Sequence, residues 1–421
     1  MFTQLKKILY FPLASYFRFF AGIRLRRWKP RIVVVTGSNG KTTLLHMLEA
    51  QIGGKAKYSH HANSSFGIPF DVLDLHRKSL KKEEWISLIL LAPFHALKRS
   101  PKEKIYIVEA DCDRPGEGKF LAEFLRPEVV LWVSTSRTHG MNFEQLVLSK
   151  QFSTVEESIA YEFGFFLEYC SKYAVINGDS SLQQKQLDRT KAKVIAVTKK
   201  QLEKYEVKKD GTAFVVDGKS YSFPYLLPEE VFASIVMCRE AVTYLQLPFG
   251  TSFTKFVLPP GRCSLFAGIK DTTLIDSTYN ANLGSIKAML AMFAKIAEGK
   301  KWVVIGDMLE LGEEEKEEHE KLGEVLSTMN LDKIILVGPR TGKYSFPKLK
   351  DKGNVVSFQV AKEVIAFINE KFTGGEIILF KGSQSLLLEG LIEQLLKNKE
   401  DASQLPRRGT FWVRKRKQVG L

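Results

Sequence analysis

Short apolar runs alternate with longer amphipathic stretches along most of the chain after Pro30. In the first half the runs are Ile32–Val35, Ile105–Val108, Val129–Val133, Ala174–Ile176 and Val194–Val197. Unbroken apolar runs of this length are typical of strands that are buried on both faces, and helical spacing separates most of them. The pattern predicts a mostly parallel sheet with crossover helices.

A second set of apolar runs follows the Pro259-Pro260-Gly261 stretch. Its members are Thr272–Ile275, Trp302–Ile305, Ile334–Val337, Val355–Phe358 and Ile377–Phe380. We therefore expect an α/β protein with a central domain at residues 31–258 and a Rossmann-like C-terminal domain at residues 259–400. Within the central domain, residues 212–225 hold two short strand patterns around Asp217-Gly218, which predicts a hairpin.

Basic segments flank these two domains, as an arm at residues 1–30 and a tail at residues 401–421. The arm interleaves Lys6, Lys7, Arg18, Arg24, Arg26, Arg27 and Lys29 with Phe2, Phe11, Tyr16, Phe17, Phe19 and Phe20. A basic, aromatic, amphipathic segment is typical of a helix that lies on an anionic membrane surface, so the arm predicts peripheral membrane contact. The alternative is a helix that packs on the protein's own body and exposes its basic side.

Composition narrows the function classes further. The 421 residues carry a net charge of +15 and are 44% hydrophobic, which fits folded domains and a negatively charged partner. No recognisable nucleic-acid motif accompanies the charge, so nucleic acid is not the expected partner. The four cysteines form no Cys-x-x-Cys pair, and no apolar run reaches the roughly 18–20 residues that span a bilayer. A reducing cytoplasm is the expected location.

The most specific local signal is the segment Thr36–Thr43, with the sequence TGSNGKTT. It joins a β-branched strand to a helix, and its glycines let the backbone wrap a phosphate at the helix N-terminus. Lys41 would neutralise the outer phosphates and the Thr42 hydroxyl would bind Mg²⁺. Two residues separate Gly37 from Gly40 where the general pattern has four, so this is a short P-loop in the central domain.

The loop resembles the ATP loop of the Mur ligase superfamily, the ATP-dependent amide-bond ligases of peptidoglycan and folate metabolism. Further segments match in order: Asn63–Pro69, Val108–Glu117, Thr138-His139 with Phe143, Pro260-Gly261-Arg262, Asp276–Asn282, Gly306–Gly312 and Lys381-Gly382-Ser383. Within the superfamily the chain is most similar to the ligases that add D-Ala-D-Ala to a peptidoglycan precursor. The resemblance covers about residues 31 to 397.

The resemblance implies ATP and Mg²⁺ as cofactors and assigns residue roles. ATP would be bound by Gly37, Ser38, Asn39, Gly40, Lys41, Thr42, Thr43, Arg262, Asp276, Tyr279 and Asn280. The metal ligands would be Thr42, Glu109 and His139, and the catalytic residues Lys41, Glu109, His139 and Lys381. Such ligases phosphorylate a carboxylate to an acyl phosphate, which an amine then attacks. His319 also fits the pattern, and its alternative is an ordinary residue of a helix face.

The chain departs from the family pattern at two places that bear on function. Phe163 falls where many relatives carry a carbamylated lysine that supports Mg²⁺, so either Glu162 or a shifted lysine such as Lys150 substitutes, or the metal is held differently. Only 35 residues precede Thr36, too few for the family's uridine-nucleotide domain. We therefore expect a peptide acceptor, and its carrier can be either UDP or a lipid.

Three other functions remain open at this point. A related ligase could act on folate or polyamino-acid substrates, and Phe163 allows an ATP-binding membrane scaffold with decayed ligase activity. A basic P-loop nucleic-acid ATPase has the least support.

Overall fold

The computed structural model describes residues 2–60, 62–77, 83–296 and 299–421, with side chains from residue 9 onward. Backbone contacts divide the chain into two compact units. The first unit comprises residues 1–201 and 232–256, and the second comprises residues 202–231 and 257–421. The segment 202–231 therefore groups with the second unit, whereas the predicted central domain contained it.

The elements up to residue 201 alternate strands and helices. They are α1 Phe2–Trp28, β1 Arg31–Thr36, α2 Lys41–Ile52, β2 Ala56–Tyr58, α3 Gly67–Leu73, α4 Glu84–Leu97, β3 Ile105–Ala110, α5 Glu117–Leu125, β4 Val129–Trp132, α6 Glu144–Leu148, α7 Val155–Glu168, β5 Tyr173–Asn177, α8 Ser181–Gln184 and β6 Lys193–Val197.

The elements of the remaining chain begin with a meander and continue as a second α/β alternation. They are β7 Leu202–Lys208, β8 Gly211–Val216, β9 Lys219–Phe223, α9 Val231–Tyr244, β10 Ser264–Ala267, β11 Thr273–Asp276, α10 Leu283–Ala294, β12 Lys301–Gly306, α11 Glu315–Ser327, β13 Lys333–Val337, β14 Val355–Phe358, α12 Ala361–Lys371, β15 Ile377–Lys381, α13 Glu389–Leu395 and α14 Thr410–Gln418.

The first unit is built on a six-stranded, all-parallel sheet in the order β2-β3-β1-β4-β5-β6. The four central strands β3, β1, β4 and β5 are buried on both faces, as the apolar runs predict. The edge strand β6, which was predicted to be buried, has only Val197 fully buried, because an edge strand is covered on fewer sides. The chain leaves β1 toward β2 and β3 on one side and later crosses to β4 on the other. Ligands of open α/β sheets bind at such a switch point, beside the carboxyl ends of the strands.

Helix α1 packs on the first unit for most of its described length. Phe17, Leu25 and Trp28 are buried in the core of this unit, and the Trp28 indole N–H donates to the Glu103 carbonyl at 2.6 Å. This is the packing arrangement that the sequence left as the alternative to a membrane arm. The predictions that rest on Met1 and on the side chains of Phe2, Lys6 and Lys7 lie outside the described residues.

The second unit has a six-stranded sheet in the order β10-β11-β15-β12-β13-β14, in which only the edge strand β10 is antiparallel. Because β15 lies between β11 and β12, the carboxyl ends of three strands meet near the switch point. The predicted hairpin around Asp217-Gly218 is confirmed as β8 and β9, and β7 extends it to three strands.

The basic tail is folded onto the second unit. Leu405 is buried, and Arg407 and Arg416 are buried in ion pairs with Glu389 of α13. Part of the positive charge of the tail is therefore neutralised by ion pairs within the protein.

The predicted α/β fold class is confirmed, and strand limits differ by one or two residues at most ends. The strands β2, β7 and β10 were not predicted. Among the helices that the structure describes, none combines the length and the apolar character that crossing a bilayer requires.

Candidate functional site

The phosphate loop connects β1 to α2 in the first unit, and its two glycines are required by geometry. Gly37 has φ of 125°, and a Cβ there would lie 2.6 Å from the Ser134 carbonyl oxygen. Gly40 has φ of 85°, and a Cβ there would lie 2.9 Å from the Val133 side chain. A side chain at either position would both strain the backbone and collide with the segment after β4.

Serine and asparagine side chains fix the loop to that same segment. The Ser38 hydroxyl donates to the Ser136 carbonyl at 2.7 Å, and the Ser136 N–H donates back to it at 2.9 Å. The Asn39 N–H donates to the Ser134 hydroxyl at 2.8 Å, and the Asn39 amide donates to the Ser136 hydroxyl. The loop is therefore held in its turn by neighbours rather than by its own sequence alone. Thr43 follows in the first turn of α2 and is half-buried.

Lys41 is buried at the start of α2 beside two carboxylates. Its Nζ lies 2.7 Å from Asp111 Oδ2 and donates to the Gly37 carbonyl. Burial alone would lower the pKa of Lys41, but the carboxylates of Asp111 and Glu109 reverse this and raise it. The ammonium group therefore stays charged where phosphates would lie.

The predicted metal ligands Thr42 and Glu109 are brought together. The Thr42 hydroxyl donates to Glu109 Oε2 at 2.9 Å, and the Glu109 N–H donates to the Ser59 hydroxyl at 2.9 Å. Glu109 lies near the carboxyl end of β3, beside the loop that follows β1. A hydroxyl and a carboxylate are hard oxygen donors, which Mg²⁺ prefers.

The third predicted ligand, His139, pairs with a carboxylate that the sequence did not single out. His139 Nε2 lies 3.2 Å from Asp113 Oδ1, and together with Asp111 their ligand atoms lie within 4.8 Å of one another. Burial and the Asp111 charge raise the pKa of Asp113 to about 6, although the His139 ring opposes this. Two carboxylates and an imidazole this close together are groups that a divalent cation holds, so this donor set fits Mg²⁺.

Asp111 and Asp113 were missed as functional residues, although a signal for them exists. They follow Glu109 at alternate positions after the end of β3, and an extended segment places alternate side chains on one side. Three carboxylates in that spacing beyond a buried strand predict a cation site more completely than Glu109 alone does.

The position of the family's carbamylated lysine is occupied by core structure. Phe163 is buried against the Trp132 ring, with 5.9 Å between ring centroids. Glu162 accepts hydrogen bonds from the N–H groups of Gly116 at 2.7 Å and Gly118 at 2.9 Å, which begin α5. Lys150 is exposed in the turn after α6. The Glu162 carboxylate thus caps a helix, as an acidic group at a helix N-terminus does.

In the second unit, the predicted nucleotide residues gather at the carboxyl ends of β11 and β15. The Arg262 guanidinium lies 4.1 Å from the centre of the Tyr279 ring, and the Tyr279 N–H donates to the Gly261 carbonyl. Arg262 Nε is buried and has no hydrogen-bond partner among the described residues. Tyr279 is nearly half-exposed, so a cation–aromatic pair is presented at the surface of this unit.

The Asp276 carboxylate lies inside the second unit and not at its surface. It is fully buried, and its Oδ1 accepts from the Thr278 N–H at 3.0 Å and the Thr278 hydroxyl at 2.7 Å. Its Oδ2 has no partner in the described part of the chain, and burial raises its pKa to about 6. In this structure Asp276 shapes the turn that carries Tyr279.

Lys381 ends β15 and is buried beneath the same turn. Its Nζ donates to the Asn280 carbonyl at 2.9 Å and lies 3.5 Å from the Ser277 hydroxyl. Burial lowers the pKa of Lys381 to about 8, and the positive charge of Arg262 acts in the same direction. Asn280 turns its side-chain oxygen toward the Ala281 N–H, so its link to Lys381 is made by its backbone.

Two further residues of the second unit, Arg407 and His319, hold its loops in place, a role that the sequence did not assign to them. Arg407, in the tail, donates to the Thr278 carbonyl at 2.8 Å and the Tyr279 carbonyl at 3.1 Å while it is paired with Glu389. His319 is fully buried, with Nδ1 2.6 Å from the Glu315 carbonyl and Nε2 accepting from the Met308 N–H. His319 thus acts as a core residue that fixes the Gly306–Gly312 loop.

Two family descriptions match the chain, and together they cover most of it. Residues 35–233 match the Mur ligase middle domain, and residues 261–384 match the Mur ligase glutamate ligase domain.

Curated relatives extend this match over nearly the whole chain. The UDP-N-acetylmuramoyl-tripeptide–D-alanyl-D-alanine ligase of Bacillus subtilis (strain 168) is 23% identical over 379 residues, covering 87% of this chain and 76% of that protein. The ligase of the same name from Escherichia coli (strain K12) is 23% identical over 384 residues, with 87% and 77% covered.

Solved structures give the same fold. The MurF ligase from Thermotoga maritima, crystallised in complex with ADP, superposes with a TM-score of 0.73 at 20% identity, covering 92% of this chain and 84% of that one. MurF from Acinetobacter baumannii reaches the same TM-score at 18% identity. With the phosphate loop, its paired carboxylates and both domain matches in place, the chain belongs to the Mur ligase family, whose members are ATP-dependent ligases that form carbon–nitrogen bonds.

Proposed function

We propose that this chain uses ATP and Mg²⁺ to join D-Ala-D-Ala, or a similar amine, to the peptide of a peptidoglycan precursor. The observation that carries the proposal is the Thr42–Glu109 pair beside a glycine loop that also positions Lys41. The names of the relatives supply the substrate class, since the B. subtilis and E. coli proteins are UDP-N-acetylmuramoyl-tripeptide–D-alanyl-D-alanine ligases.

The first unit supplies the phosphate-binding groups. Backbone N–H groups of the loop at the N-terminus of α2 point toward bound phosphates, as helix N-termini do. Lys41 adds a fixed positive charge, which Asp111 holds in place. These groups stabilise the charge that develops as the terminal phosphoryl group passes to the acceptor carboxylate and ADP leaves.

Mg²⁺ would be held by Thr42 and Glu109, and a second cation by Asp111, Asp113 and His139. When bound, the cation supplies charge neutralisation for the phosphoryl group in transfer. Asp113 must lose its proton to serve as a ligand, and its pKa of about 6 allows this near neutral pH.

The second unit carries candidate substrate-binding groups of its own. Arg262 and Tyr279 offer a guanidinium and an aromatic face for the nucleotide, and Lys381 is the cation proposed to lie near the incoming dipeptide. The amine of the dipeptide attacks the acyl carbon, the new C–N bond forms, and inorganic phosphate leaves. The bond between the acyl carbon and the phosphate oxygen breaks, and the proton that the amine loses passes to the departing phosphate or to water.

We further propose that the enzyme acts in the cytoplasm on a UDP-linked or lipid-linked acceptor. All four cysteines are buried and unpaired in disulfides, as a reducing compartment favours. Contact with the membrane through residues 1–30 alone has little support, because the apolar side chains on the inner side of α1 pack into the core and are not available to a bilayer.

Phosphate release from ATP, measured with Mg²⁺, D-Ala-D-Ala and an acceptor tripeptide, tests the proposal. Lys41→Ala should reduce the rate at least about a hundredfold, because it removes the charge that stabilises the transferred group. The matched control is Lys55→Ala, an exposed lysine in the short turn after α2, which should keep the wild-type rate. Equal rates in Lys41→Ala and Lys55→Ala would contradict the assignment. If phosphate were released with a folate or polyamino-acid acceptor but not with this tripeptide, the proposed substrate would be wrong.

A further inference from the structure

Helix α4 carries a stripe of large apolar side chains that the protein leaves exposed. Ile86, Leu90, Phe94 and Leu97 are 66%, 64%, 69% and 69% exposed. Their spacing of four, four and three residues places them on one side of the helix. Leu91, beside them, is 43% exposed. We call these five residues the α4 stripe. Contiguous apolar surface of this kind marks an interaction site in most folded proteins.

The α4 stripe lies on a helix whose opposite side is fixed. Leu88, Ala92 and Ala96 are buried in the core of the first unit. Helix α1 runs alongside, and the Tyr16 hydroxyl donates to the Ile89 carbonyl at 2.8 Å. Helix α4 therefore cannot turn to bury the stripe without giving up its core contacts.

Positive charges surround the carboxyl end of the stripe. Arg27 donates to the Ala96 carbonyl at 2.9 Å, which places its exposed guanidinium beside the last turn of α4. Lys98 and Arg99 follow the helix directly, and both are exposed. We call Arg27, Lys98 and Arg99 the basic collar. The acidic groups of α4, Glu83 and Glu84, stand at its other end.

We propose that the α4 stripe and the basic collar form a surface that docks on an anionic lipid bilayer, with α4 lying in the plane of the interface. A row of bulky apolar side chains enters the acyl boundary, while Lys and Arg at its end meet lipid headgroups. The charge of the collar favours an anionic bilayer over a neutral protein face. Binding of lipid does not depend on the ligase activity, although it would place that activity next to a lipid-linked acceptor.

This surface differs from the predicted arm. The buried side of α1 packs against the protein, and among its described side chains, from residue 9 onward, Leu9 and Phe19 are the large apolar ones that remain exposed. The lipid-facing apolar area lies mainly on α4, between residues 84 and 97, which the sequence analysis did not single out.

Cosedimentation of the full chain with vesicles tests the proposal, with equal parts of phosphatidylglycerol and phosphatidylcholine. The triple variant Ile86→Ser, Leu90→Ser, Phe94→Ser should lower the partition coefficient about a hundredfold, because three large side chains no longer leave water. The matched control is Phe411→Ser, which removes a half-exposed aromatic residue beside the basic residues of α14 and should bind like the wild type.

A second variant tests the contribution of charge. Lys98→Ser with Arg99→Ser should weaken binding to the anionic vesicles by about fivefold or more per residue and leave the weak binding to pure phosphatidylcholine unchanged. Thermal unfolding should show both variants folded, since every replaced side chain is exposed.

Three results would overturn the proposal. The first is wild-type protein that stays in the supernatant, and the second is a triple variant that sediments with vesicles as the wild type does. The third is a wild-type protein that is dimeric and a triple variant that is monomeric, which would assign the stripe to a second copy of the chain. Phosphate release with a UDP-linked acceptor, measured on the same samples, reports the proposed function separately. The triple variant should keep the wild-type rate there.

Discussion

Replacing Lys381 by methionine should stabilise the second unit at neutral pH while it removes ligase activity. Lys381 is 4% exposed and is charged at pH 7 in both the folded and the unfolded chain. Its ammonium group gives up water on folding and gains the Asn280 carbonyl as its close partner. Methionine has a similar length and fills the same space without a charge.

The size of the effect follows from the pKa of Lys381. Burial lowers this pKa from 10.5 to about 8, which corresponds to a cost of about 3 kcal/mol for the charged form. The variant leaves the Asn280 carbonyl without its donor, which costs about 1–2 kcal/mol. We therefore expect a net gain of about 1–2 kcal/mol in the free energy of unfolding at pH 7.

The gain should depend on pH in a defined direction. Between pH 8 and 10.5 the folded wild-type protein loses the Lys381 proton while the unfolded chain still holds it. The unfolded state then binds more protons, so the stability of the wild type rises with pH and the advantage of the variant shrinks. Below pH 8 the advantage should be constant.

Differential scanning calorimetry of Lys381→Met at pH 7 and pH 10 measures both effects. The control is Lys397→Met, an exposed lysine paired with Asp271 at 2.9 Å, which should change stability by less than about 1 kcal/mol. A Lys381→Met protein that is less stable than the wild type at pH 7, or whose stability difference is the same at both pH values, would refute the reasoning.

Three more predictions concern the loop, the metal site and the tail. Gly37→Ala should abolish ATP binding in calorimetric titration, because its Cβ would lie 2.6 Å from a carbonyl oxygen; wild-type affinity would contradict the assigned loop geometry. Asp113→Asn should weaken Mg²⁺ binding. The wild type should lose activity as pH falls through about 6, and the variant should lack this step; an unchanged pH profile would exclude this carboxylate. Glu389→Gln should destabilise the second unit by about 3–5 kcal/mol, because two buried arginines lose their carboxylate, whereas Glu393→Gln, at a more exposed pair, should cost less than about 1 kcal/mol. Calorimetry compares these last two variants, and equal effects would refute the difference.

The buried strands and the phosphate loop were predictable because their signals are local. β1 is a run of mostly β-branched residues that is buried on both faces, and Gly37, Gly40 and Lys41 follow it directly as a short variant of the phosphate loop. The strands β2 and β10 were missed because they are short, at three and four residues, and lie at sheet edges, where burial imposes no apolar run.

Contacts between distant residues were not predictable from the pattern. Arg407 reaches the Thr278 carbonyl across 129 positions, and its sequence neighbourhood indicates only a basic tail. The burial of Asp276 likewise depends on the turn around Thr278 and not on the motif that contains it. Side-chain orientation in such turns is set by packing, which a motif does not encode.

The N-terminal helix illustrates why amphipathic patterns leave a choice. Aromatic residues at helical spacing, such as Phe17 and Trp28, fit a bilayer and a protein core equally well, since both are apolar. In the structure these two side chains enter the core, while Phe94 of α4 remains exposed. Only the sheet beneath α1 distinguishes the two outcomes.

Mass spectrometry of the acceptor after reaction with Mg²⁺, ATP and D-Ala-D-Ala measures directly whether the dipeptide has been joined to it. The acceptor tripeptide should be offered in UDP-linked and in lipid-linked form. The account predicts that one of them gains the dipeptide through a new amide bond, with one ADP and one phosphate formed per bond. ATP hydrolysis without any change in the mass of either acceptor would contradict it.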